Sequence, residues 1–285
     1  KSLGVTVPET TSFSTDENED TIFSIIRDVG FPAIVKPAEG AGSEAIYLIN
    51  DRQDLHDALK NVVKEGRKRK FLAQQYVKGT DVSVSILSSR SGSTIPLSLN
   101  NKIIQLGSPK DQGSRYEGGY TPFDHHLRTE AFESATKIVK AVKGLKGYVG
   151  VDFVLTEDKP VLMEVNARIT TSYTGLYRVL HRNGSRGVAH AIIGAMIKDK
   201  LPPSVAFGGC AYYSKLKLSS DLKLSKDLVH EISTLECVEC PAFPEQQNEK
   251  EVFLVTVSDS LSEALRAKTL NEEKVRRIVT RYTKT

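Results

Sequence analysis

Two acidic residues and one asparagine stand on the polar face of a β-hairpin that the sequence predicts. Between Gly147 and Asn166, apolar residues take every second position of two runs, which leaves Asp152 in the first run and Glu164 and Asn166 in the second. A turn at residues 156–160 would place Asp152 opposite Glu164. Hard oxygen ligands in this number suit Mg²⁺ or Mn²⁺, which also bind substrate phosphates. A hairpin with a solvated polar face is the alternative.

A lysine and a glycine-rich turn form the second candidate site. Lys36 stands before a proline at the end of a predicted strand, where its side chain is suited to reaching a phosphate. Gly40 and Gly42 permit a close backbone approach, and the amides of residues 41–44 are expected to bind an anion. The stretch is not a Walker A loop, because no Gly-Lys-Ser/Thr follows and no helix begins there. A glycine-rich hairpin turn without a ligand is the alternative.

The elements that position these residues follow from hydrophobic periodicity. Residues 71–87 predict two strands with a short connection at 78–80, and alternation predicts further strands at 210–218 and 251–257. Helical spacing predicts helices at residues 16–29, 51–64, 128–143, 176–180, 188–198, 261–268 and 272–282. Asp51 is the predicted N-cap of the second helix.

Two further segments have the composition of substrate-binding loops. Residues 115–122 are rich in glycine and polar groups and are predicted to be a loop between a strand and a helix. An ordinary long connection is the alternative for this segment. Residues 168–173 begin two positions after Asn166. They contain one arginine, three hydroxyl-bearing residues at 170–172 and a tyrosine at 173. Both segments are therefore candidates for binding the molecules on which the protein acts.

Composition narrows the class of protein. A chain of 285 residues with 39% hydrophobic residues suits one two-lobed globular unit. The net charge of +4 is too small to indicate nucleic-acid binding, and no apolar run reaches the length of a membrane span. Three cysteines, Cys210, Cys237 and Cys240, fit a reducing compartment, which predicts a cytoplasmic protein. The single Cys-x-x-Cys has no second pair with which to bind zinc.

Taken in order, these motifs resemble the ATP-grasp superfamily. Its members show a lysine before proline, a glycine-rich loop, a Gln-Glu-aromatic-aliphatic-x-Gly-x-Glu hinge, and an acid on one strand with Glu-x-Asn-x-Arg on the next. The resemblance implies that ATP is bound by Lys36, Gly40, Gly42, Ser43, Gln74, Gln75, Tyr76, Val77 and Asp81. It implies that Asp152, Glu164 and Asn166 bind Mg²⁺ or Mn²⁺ and that Arg168 and Lys36 are catalytic.

The same resemblance implies the fold. An α+β protein of ATP-grasp type is expected, with two α+β lobes that clamp ATP. Residues 1–76 are predicted to form the small lobe with the glycine-rich loop. Residues 77–285 are predicted to form the large lobe, with the metal-binding hairpin and an α+β extension. The family's N-terminal domain is expected to be absent from this chain, because the Gly-x-x-x-Pro-x-Thr stretch that follows it in the family stands here at residues 4–10.

Three positions depart from the family pattern without removing its chemistry. Gln75 replaces the usual hinge glutamate, so the adenine contact is expected from its amide or from the backbone of Tyr76 and Val77. Asp81 replaces the ribose-binding glutamate and has a shorter reach. Ala167 stands where a proline is common.

The activity implied is that of an ADP-forming carboxylate–amine ligase that works through an acylphosphate. Residues 166–173 are most similar to the branch that contains tyramine–glutamate ligase, which suggests glutamate and tyramine as small-molecule partners. The predicted substrate residues are Arg115, Tyr116, Gly118, Thr171, Ser172 and Tyr173. A ligase that joins two amino acids and a non-catalytic nucleotide-binding regulator are the alternatives. No nucleic-acid or membrane partner is expected, and a homo-oligomer stays open.

Overall fold

The computed structural model describes residues 3–39, 46–64, 70–111, 113–182, 187–219, 221–240 and 250–283. The chain divides into two compact units. The first consists of Lys1–Asp81, Ile103–Glu117 and Phe153–Met163, and the second of Val82–Lys102, Gly118–Asp152 and Glu164–Thr285. The predicted lobes at residues 1–76 and 77–285 stay a prediction.

Six elements make up the amino-terminal part of the first unit. They are β1 (Thr10–Ser14), α1 (Glu19–Val29), β2 (Ala33–Pro37), β3 (Tyr47–Ile49), α2 (Arg52–Lys64) and β4 (Lys70–Gln75). The strands form an antiparallel sheet in the order β1-β4-β2-β3. Gln74 on β4 is flanked by Thr10 on one side and Ile34 on the other. This pairing brings the end of β4, where the predicted hinge begins, next to the strand that carries Lys36.

Capping residues determine where the two helices of this unit begin. Asn18 Oδ1 accepts the Thr21 N–H at 2.8 Å and so caps α1. Asp51 Oδ1 accepts the Asp54 N–H at 2.9 Å, which confirms Asp51 as the predicted cap of α2. The apolar faces of both helices and of the sheet form one buried cluster, made of Phe13, Ile22, Ile26, Ala33, Val35, Tyr47, Ile49, Leu55, Ala58, Val62, Phe71 and Ala73.

A second, larger sheet contains eight strands. They are β5 (Thr80–Ser88), β6 (Thr94–Gln105), β7 (Arg115–Thr121), β8 (Gly147–Leu155), β9 (Pro160–Asn166), β10 (Cys210–Lys217), β11 (Val238–Cys240) and β12 (Glu251–Ser258). Their order is β11-β12-β10-β7-β6-β5-β8-β9. The predicted hairpin is confirmed as β8 and β9, which are neighbours joined by residues 156–159. Every residue of β8 is buried, as expected for a strand with a partner on each side.

The helices of the second unit cover both faces of its sheet. They are α3 (Arg128–Ala141), α4 (Ser172–Arg182), α5 (Gly187–Ile197), α6 (Lys226–Ser233) and α7 (Leu261–Thr283). On β10, Tyr213 meets α4, where a Cβ added to Gly175 would lie 2.7 Å from the Tyr213 ring. The neighbouring Tyr212 has Lys268 Nζ of α7 5.7 Å from its ring centre. Because successive strand residues point to opposite faces, α4 and α7 pack on opposite sides of β10.

The carboxyl-terminal region corrects one prediction. The two helices predicted at residues 261–268 and 272–282 are one helix, α7. Neither glycine nor proline stands between them, and Lys268 Nζ lies 3.0 Å from Glu272 Oε1 across the predicted gap. Asn271, inside that gap, donates to Thr256 Oγ1 at 3.1 Å. Packing on the sheet therefore stabilises the helix across residues 269–271, although two of them, Thr269 and Asn271, have weak helix propensity.

The segment predicted as a loop at residues 115–122 is also different, because residues 115–121 form strand β7. Its two central glycines allow two neighbouring strands to approach closely. A Cβ on Gly118 would lie 2.1 Å from the Tyr213 carbonyl oxygen, and one on Gly119 would lie 2.0 Å from the Asn101 carbonyl oxygen. The glycines therefore mark a close backbone approach inside a sheet rather than a flexible connection.

Candidate functional site

Lys36 lies near the end of β2, and its side chain reaches the neighbouring strand β4. Lys36 Nζ donates to Gln74 Oε1 at 3.1 Å, and Gln74 Nε2 donates to Thr10 Oγ1 at 3.1 Å. Gln74 is 6% exposed, so its amide is engaged at both ends in a buried position. Two of the predicted ATP residues are thus neighbours. Gln74 therefore holds the lysine head group, and contact of Lys36 and Gln74 with ATP stays a prediction.

Those following residues form the connection between β4 and β5. Gln75 is exposed, and its backbone N–H donates to the Glu9 carbonyl oxygen at 2.8 Å. Tyr76 and Val77 are half-buried. Asp81 is half-buried at the start of β5 and interacts with another group of the protein. Gln75 Oε1 also accepts the Glu9 N–H at 3.5 Å, and Gln75 and Lys78 are the exposed side chains between residues 75 and 78.

A glycine within the connection packs against the end of β8. A Cβ added at Gly79 would lie 2.2 Å from the Leu155 carbonyl oxygen and 2.7 Å from Val154 Cγ1. Any larger residue would have to displace main-chain atoms. The path of the connection therefore depends on glycine at this position.

Two of the three predicted metal ligands, Asp152 and Asn166, meet on the β8–β9 hairpin. Asn166 Nδ2 donates to Asp152 Oδ2 at 3.3 Å, and the two residues are 7% and 8% exposed. Glu164 lies two residues before Asn166 on β9 and therefore on the same face of that strand, and it is exposed. That Asp152 stands directly opposite Glu164 stays a prediction.

A lysine that the sequence analysis did not single out joins this group. Lys102 Nζ donates to Asp152 Oδ2 at 2.6 Å, and the side chains of this ion pair are 21% and 12% exposed. The available signal was the alternation of polar residues along β6, which puts Ser98, Asn100 and Lys102 on one face. The periodicity was visible in the sequence, but the partner on β8 was not.

The donor set fits a small, hard cation. Asp152 keeps its Oδ1 in addition to the engaged Oδ2, Glu164 offers an exposed carboxylate, and Asn166 offers an amide oxygen after a half turn of its side-chain amide. Within the described residues no cluster of three His, Cys, Asp or Glu side chains is suited to a metal. A Mg²⁺ ion bound here would therefore complete its shell with waters or phosphate oxygens, as this ion commonly does.

A chain of hydrogen bonds runs from the sheet to the beginning of α4. It connects, in order, Thr121, Asn100, Ser85, Tyr148, Thr170 and Ser172, over distances of 2.7, 2.9, 2.6, 3.2 and 3.0 Å. A Cβ on Gly150 would lie 2.4 Å from Thr170 Cγ2, so this glycine lets Thr170 rest directly on β8. The backbone that follows Asn166, the predicted metal ligand, is thus fixed to the interior by both contact and hydrogen bonding.

The predicted substrate residues of this segment have different environments. Arg168 is exposed, with Nη1 3.3 Å from the Ile169 carbonyl oxygen, and Thr171 is exposed as well. Ser172 is 4% exposed and begins α4. Burial, with Tyr177 and Tyr148 nearby, raises the pKa of Tyr173, which keeps the phenol neutral at ordinary pH. Arg168 and Thr171 are therefore open to a ligand, while Ser172 is part of the buried hydrogen-bond chain.

The remaining predicted substrate residues lie on β7. Arg115 Nη2 donates to Gln105 Oε1 at 2.9 Å, and Tyr116 is half-buried with an interaction partner. Gly118 makes the close approach to β10 described above. Contact of these three residues with a substrate stays a prediction.

Part of the predicted ATP site, namely Gly40, Gly42 and Ser43, lies outside the described residues. Across the described part of the chain, no helix combines the length and apolar character that crossing a bilayer requires.

Two comparisons of sequence bear on the family. A family model described as an ATP-grasp domain matches residues 1–172. The tyramine–L-glutamate ligase of Methanocaldococcus jannaschii is 30% identical over 183 residues, with 56% of each chain covered. That of Methanocaldococcus fervens is 41% identical over 106 residues, with 37% of this chain and 33% of the relative covered. The chain spans about half the length of the first of these relatives and about a third of the second.

Comparison of structures agrees with this result. The N5-carboxyaminoimidazole synthetase of Staphylococcus aureus, solved with ADP, superposes with a TM-score of 0.71 at 19% identity, with 95% of this chain and 68% of that chain covered. The α+β fold of ATP-grasp type predicted from the sequence is confirmed. With the family model matching more than half of its residues, the chain belongs to the ATP-grasp domain family.

Proposed function

We propose that this protein is an ADP-forming carboxylate–amine ligase that uses ATP and Mg²⁺, with Mn²⁺ as a substitute ion. The observation that carries the proposal is the cluster of Asp152, Asn166 and Lys102 at the end of the hairpin, in a member of the ATP-grasp family. This cluster offers oxygen ligands for a cation beside an ammonium group. The combination suits a site where phosphate oxygens carry charge.

The proposed reaction has two steps. A substrate carboxylate oxygen attacks the γ-phosphorus of ATP, the bond to the β,γ-bridging oxygen breaks, and ADP leaves with an acylphosphate formed. An amine nitrogen then attacks the acyl carbon and loses a proton, and inorganic phosphate leaves with the electrons of the carbon–oxygen bond. Such chemistry depends on positioning and charge neutralisation rather than on a side-chain nucleophile.

The residues are assigned roles within this scheme. Lys36, held by Gln74 at 3.1 Å, would neutralise phosphate charge. Mg²⁺, when bound by Asp152, Glu164 and Asn166, supplies charge neutralisation and orientation of the phosphates. Exposed Arg168 is suited to steady the transferring group, because its planar guanidinium forks onto two oxygens.

The nucleotide base and ribose are assigned to the residues that follow β4. The exposed Gln75 amide, or the backbone of Tyr76 and Val77, would contact the adenine, and Asp81 would contact the ribose. Gly40, Gly42 and Ser43 are proposed to cover the phosphates through their backbone amides.

Glutamate and tyramine are the substrate pair proposed for first testing. The support is the similarity to tyramine–L-glutamate ligases and the character of residues 168–173. The γ-carboxylate of glutamate would lie by the exposed Arg168 and Thr171, with buried Ser172 fixing the backbone behind them, and its α-carboxylate would pair with Arg115. Tyr116, Tyr120 and Tyr173 would line the slot for the amine ring, where a neutral phenol such as Tyr173 offers an aromatic face.

The experiment is a screen for ADP release by the full-length protein, with carboxylates and amines supplied singly and in pairs. Release that needs both partners supports the ligase, and Glu164→Ala is expected to lose nearly all of it through weaker Mg²⁺ binding. Release with another amino acid in place of tyramine would instead support a ligase that joins two amino acids. If no carboxylate elicits ADP or acylphosphate while ATP still binds, the protein is a non-catalytic nucleotide-binding regulator and the proposal is wrong.

A further inference from the structure

A cavity of about 470 Å³ opens between α4, α5 and the chain that follows α5, all within the second unit. None of the residues proposed for ATP or metal binding lines it. Its walls are mostly apolar, with Leu97, Leu180, Val188, Ala191, Leu201 and Val205 among the lining residues. The volume is within the range of pockets that hold small molecules in proteins.

The rim of the cavity is shaped by the way α5 ends. The backbone N–H groups of Lys198 and Lys200 both donate to the Gly194 carbonyl oxygen, each at 3.0 Å. Asp199 stands between them with φ 54°, in the left-handed region that most residues other than glycine avoid. This helix-ending motif fixes the backbone of both lysines at the cavity.

The side chain of Asp199 does not neutralise its neighbours, because the turn between β5 and β6 engages it. Asp199 Oδ1 accepts the Ser91 N–H at 2.8 Å, and Arg90 N–H donates to the Ala195 carbonyl oxygen at 3.1 Å. The hydrogen bond from Ser91, with one from Ser89, lowers the pKa of Asp199. Its carboxylate is therefore charged and bonded to the turn between β5 and β6. Asp199 is accordingly not among the residues that line the cavity.

The charge of the described lining is therefore of one sign. Lys198, Lys200 and His190 belong to it, and it includes neither Asp nor Glu. Within the described residues neither lysine ammonium forms an ion pair. A lysine at the edge of an apolar pocket lays its methylene stem along the wall and keeps its ammonium in water, where an anion can meet it.

We propose that this cavity is a binding site for an amphipathic carboxylic acid, with the apolar body inside and the carboxylate at Lys198 and Lys200. Burial of the body supplies most of the affinity, because each buried methylene contributes about 0.8 kcal/mol. The ammonium groups select the acid over an uncharged compound of the same shape. The site is separate from the proposed ligase reaction, and its occupancy is measured without any assay of turnover.

The experiment is calorimetric titration of the full-length protein with hexanoate, octanoate and decanoate below their micellar concentrations, and with decanol. Affinity is expected to rise about fourfold for each added methylene, which is the 0.8 kcal/mol increment converted to a ratio. Lys198→Glu with Lys200→Glu is expected to weaken decanoate binding at least tenfold and to leave decanol binding unchanged. Lys140→Glu with Lys143→Glu, at the exposed end of α3 and in the turn that follows it, makes the same change of net charge and is expected to have no effect.

A second variant tests the cavity itself. Ala191→Phe fills the space with an aromatic ring and is expected to abolish binding of decanoate and decanol alike, with an unchanged unfolding midpoint showing that the protein still folds. No heat of binding with decanoate at millimolar concentration at two well-separated temperatures would overturn the proposal, because burial of apolar surface changes the heat capacity and the heat cannot vanish at both. Equal weakening by the Lys198/Lys200 and the Lys140/Lys143 variants would overturn it too, because only the net charge would then matter.

Discussion

The ammonium of Lys102 lies 2.6 Å from Asp152 Oδ2, and among the described residues it is the positive charge that pairs with this carboxylate. Asp152 is 8% exposed, and a largely buried carboxylate without a cation costs free energy. A metal ion bound at the hairpin, as proposed, would therefore stabilise the same charge as Lys102. Their contributions to stability are expected to overlap rather than to add.

This overlap leads to a prediction for Lys102→Met. Without added metal, the variant is expected to lose about 2 kcal/mol of unfolding free energy, which corresponds to a melting midpoint roughly 4 to 8 °C lower. Added Mg²⁺ should raise the midpoint of Lys102→Met more than that of the unchanged protein, because the ion replaces the missing charge. Lys102→Arg, which keeps the charge, is the control. An equal response to Mg²⁺ in all three proteins would show that Asp152 does not meet the ion.

Lys36 provides the second prediction at this scale. Lys36→Met keeps the length of the side chain but removes the group that Gln74 holds. ATP affinity is expected to fall roughly 10- to 100-fold, the ratio for a lost hydrogen bond to a charged group of about 1.5 to 3 kcal/mol, and turnover is expected to be abolished. Lys60→Met, on an exposed position of α2, is the matched control. Equilibrium binding of a fluorescent ATP analogue measures the effect, and unchanged affinity and turnover would remove Lys36 from the phosphate site.

At the scale of elements, the buried hydrogen-bond chain makes α4 a positioning device for the residues before it. Tyr148 is its central member, since its hydroxyl lies 2.6 Å from Ser85 Oγ and 3.2 Å from Thr170 Oγ1. Its ring also meets Tyr173 edge-on, with centroids 5.8 Å apart. One side chain of β8 thus contacts both the middle and the end of the segment, residues 168–173, proposed to bind the carboxylate substrate.

Tyr148→Phe tests this arrangement, because it keeps the ring and removes the hydroxyl. The KM for the carboxylate substrate is expected to rise about fivefold, for a hydrogen bond of roughly 1 kcal/mol, while the KM for ATP stays the same. Tyr282→Phe, on α7, is the control. A purely structural role would lower the melting midpoint and leave both KM values unchanged, and that outcome would contradict the positioning role.

The elements also show where sequence patterns are reliable and where they are not. The hairpin β8–β9 was predictable because two alternating runs flank a polar turn, and both strands are found with nearly the predicted bounds. Strand β7 was not predictable, because Gly118 and Gly119 give the segment the composition of a loop. Glycine is needed there because the backbones of two strands distant in sequence approach closely. Lys102 was missed for the same reason, since its partner Asp152 is 50 positions away. Local periodicity identifies elements, but it does not identify their neighbours.

At the scale of the whole molecule, the family assignment depended on the order in which the motifs occur along the chain. Each motif alone is common. A lysine before a proline, a hinge and an acidic hairpin in that order are specific to the ATP-grasp family, and the family match confirms the assignment. The cavity beside α5 had no such signal. It depends on the packing of Leu97 on β6 against two helices, and on a turn that engages Asp199. Properties that arise from packing of distant segments have no compact motif in the sequence.

The second unit contains its own reporter of global unfolding in Cys210. This cysteine is 7% exposed at the start of β10, a strand paired with β7 on one side and β12 on the other. Burial raises the pKa of its thiol from 9.0 to about 11. Because the folded state disfavours the thiolate, the free energy of unfolding is expected to fall as pH rises from about 9 towards 11. Cys210→Ala should flatten that part of the stability curve.

The same burial predicts how the thiol reacts. In a protein with Cys237→Ser and Cys240→Ser, labelling of Cys210 by iodoacetamide at pH 8 requires β10 to leave both partner strands, so the rate should follow global unfolding in urea. A ligand that binds only the folded state lowers the unfolded population by the factor 1 + [L]/Kd. ATP with Mg²⁺ at about 100 times its Kd should therefore slow labelling about 100-fold, if the nucleotide site and β10 unfold together. Fast labelling that is insensitive to urea would mean that the reagent reaches the thiol without global unfolding, either through the pocket that Cys210 lines or by local opening of β10, and the thiol would then not report the unit.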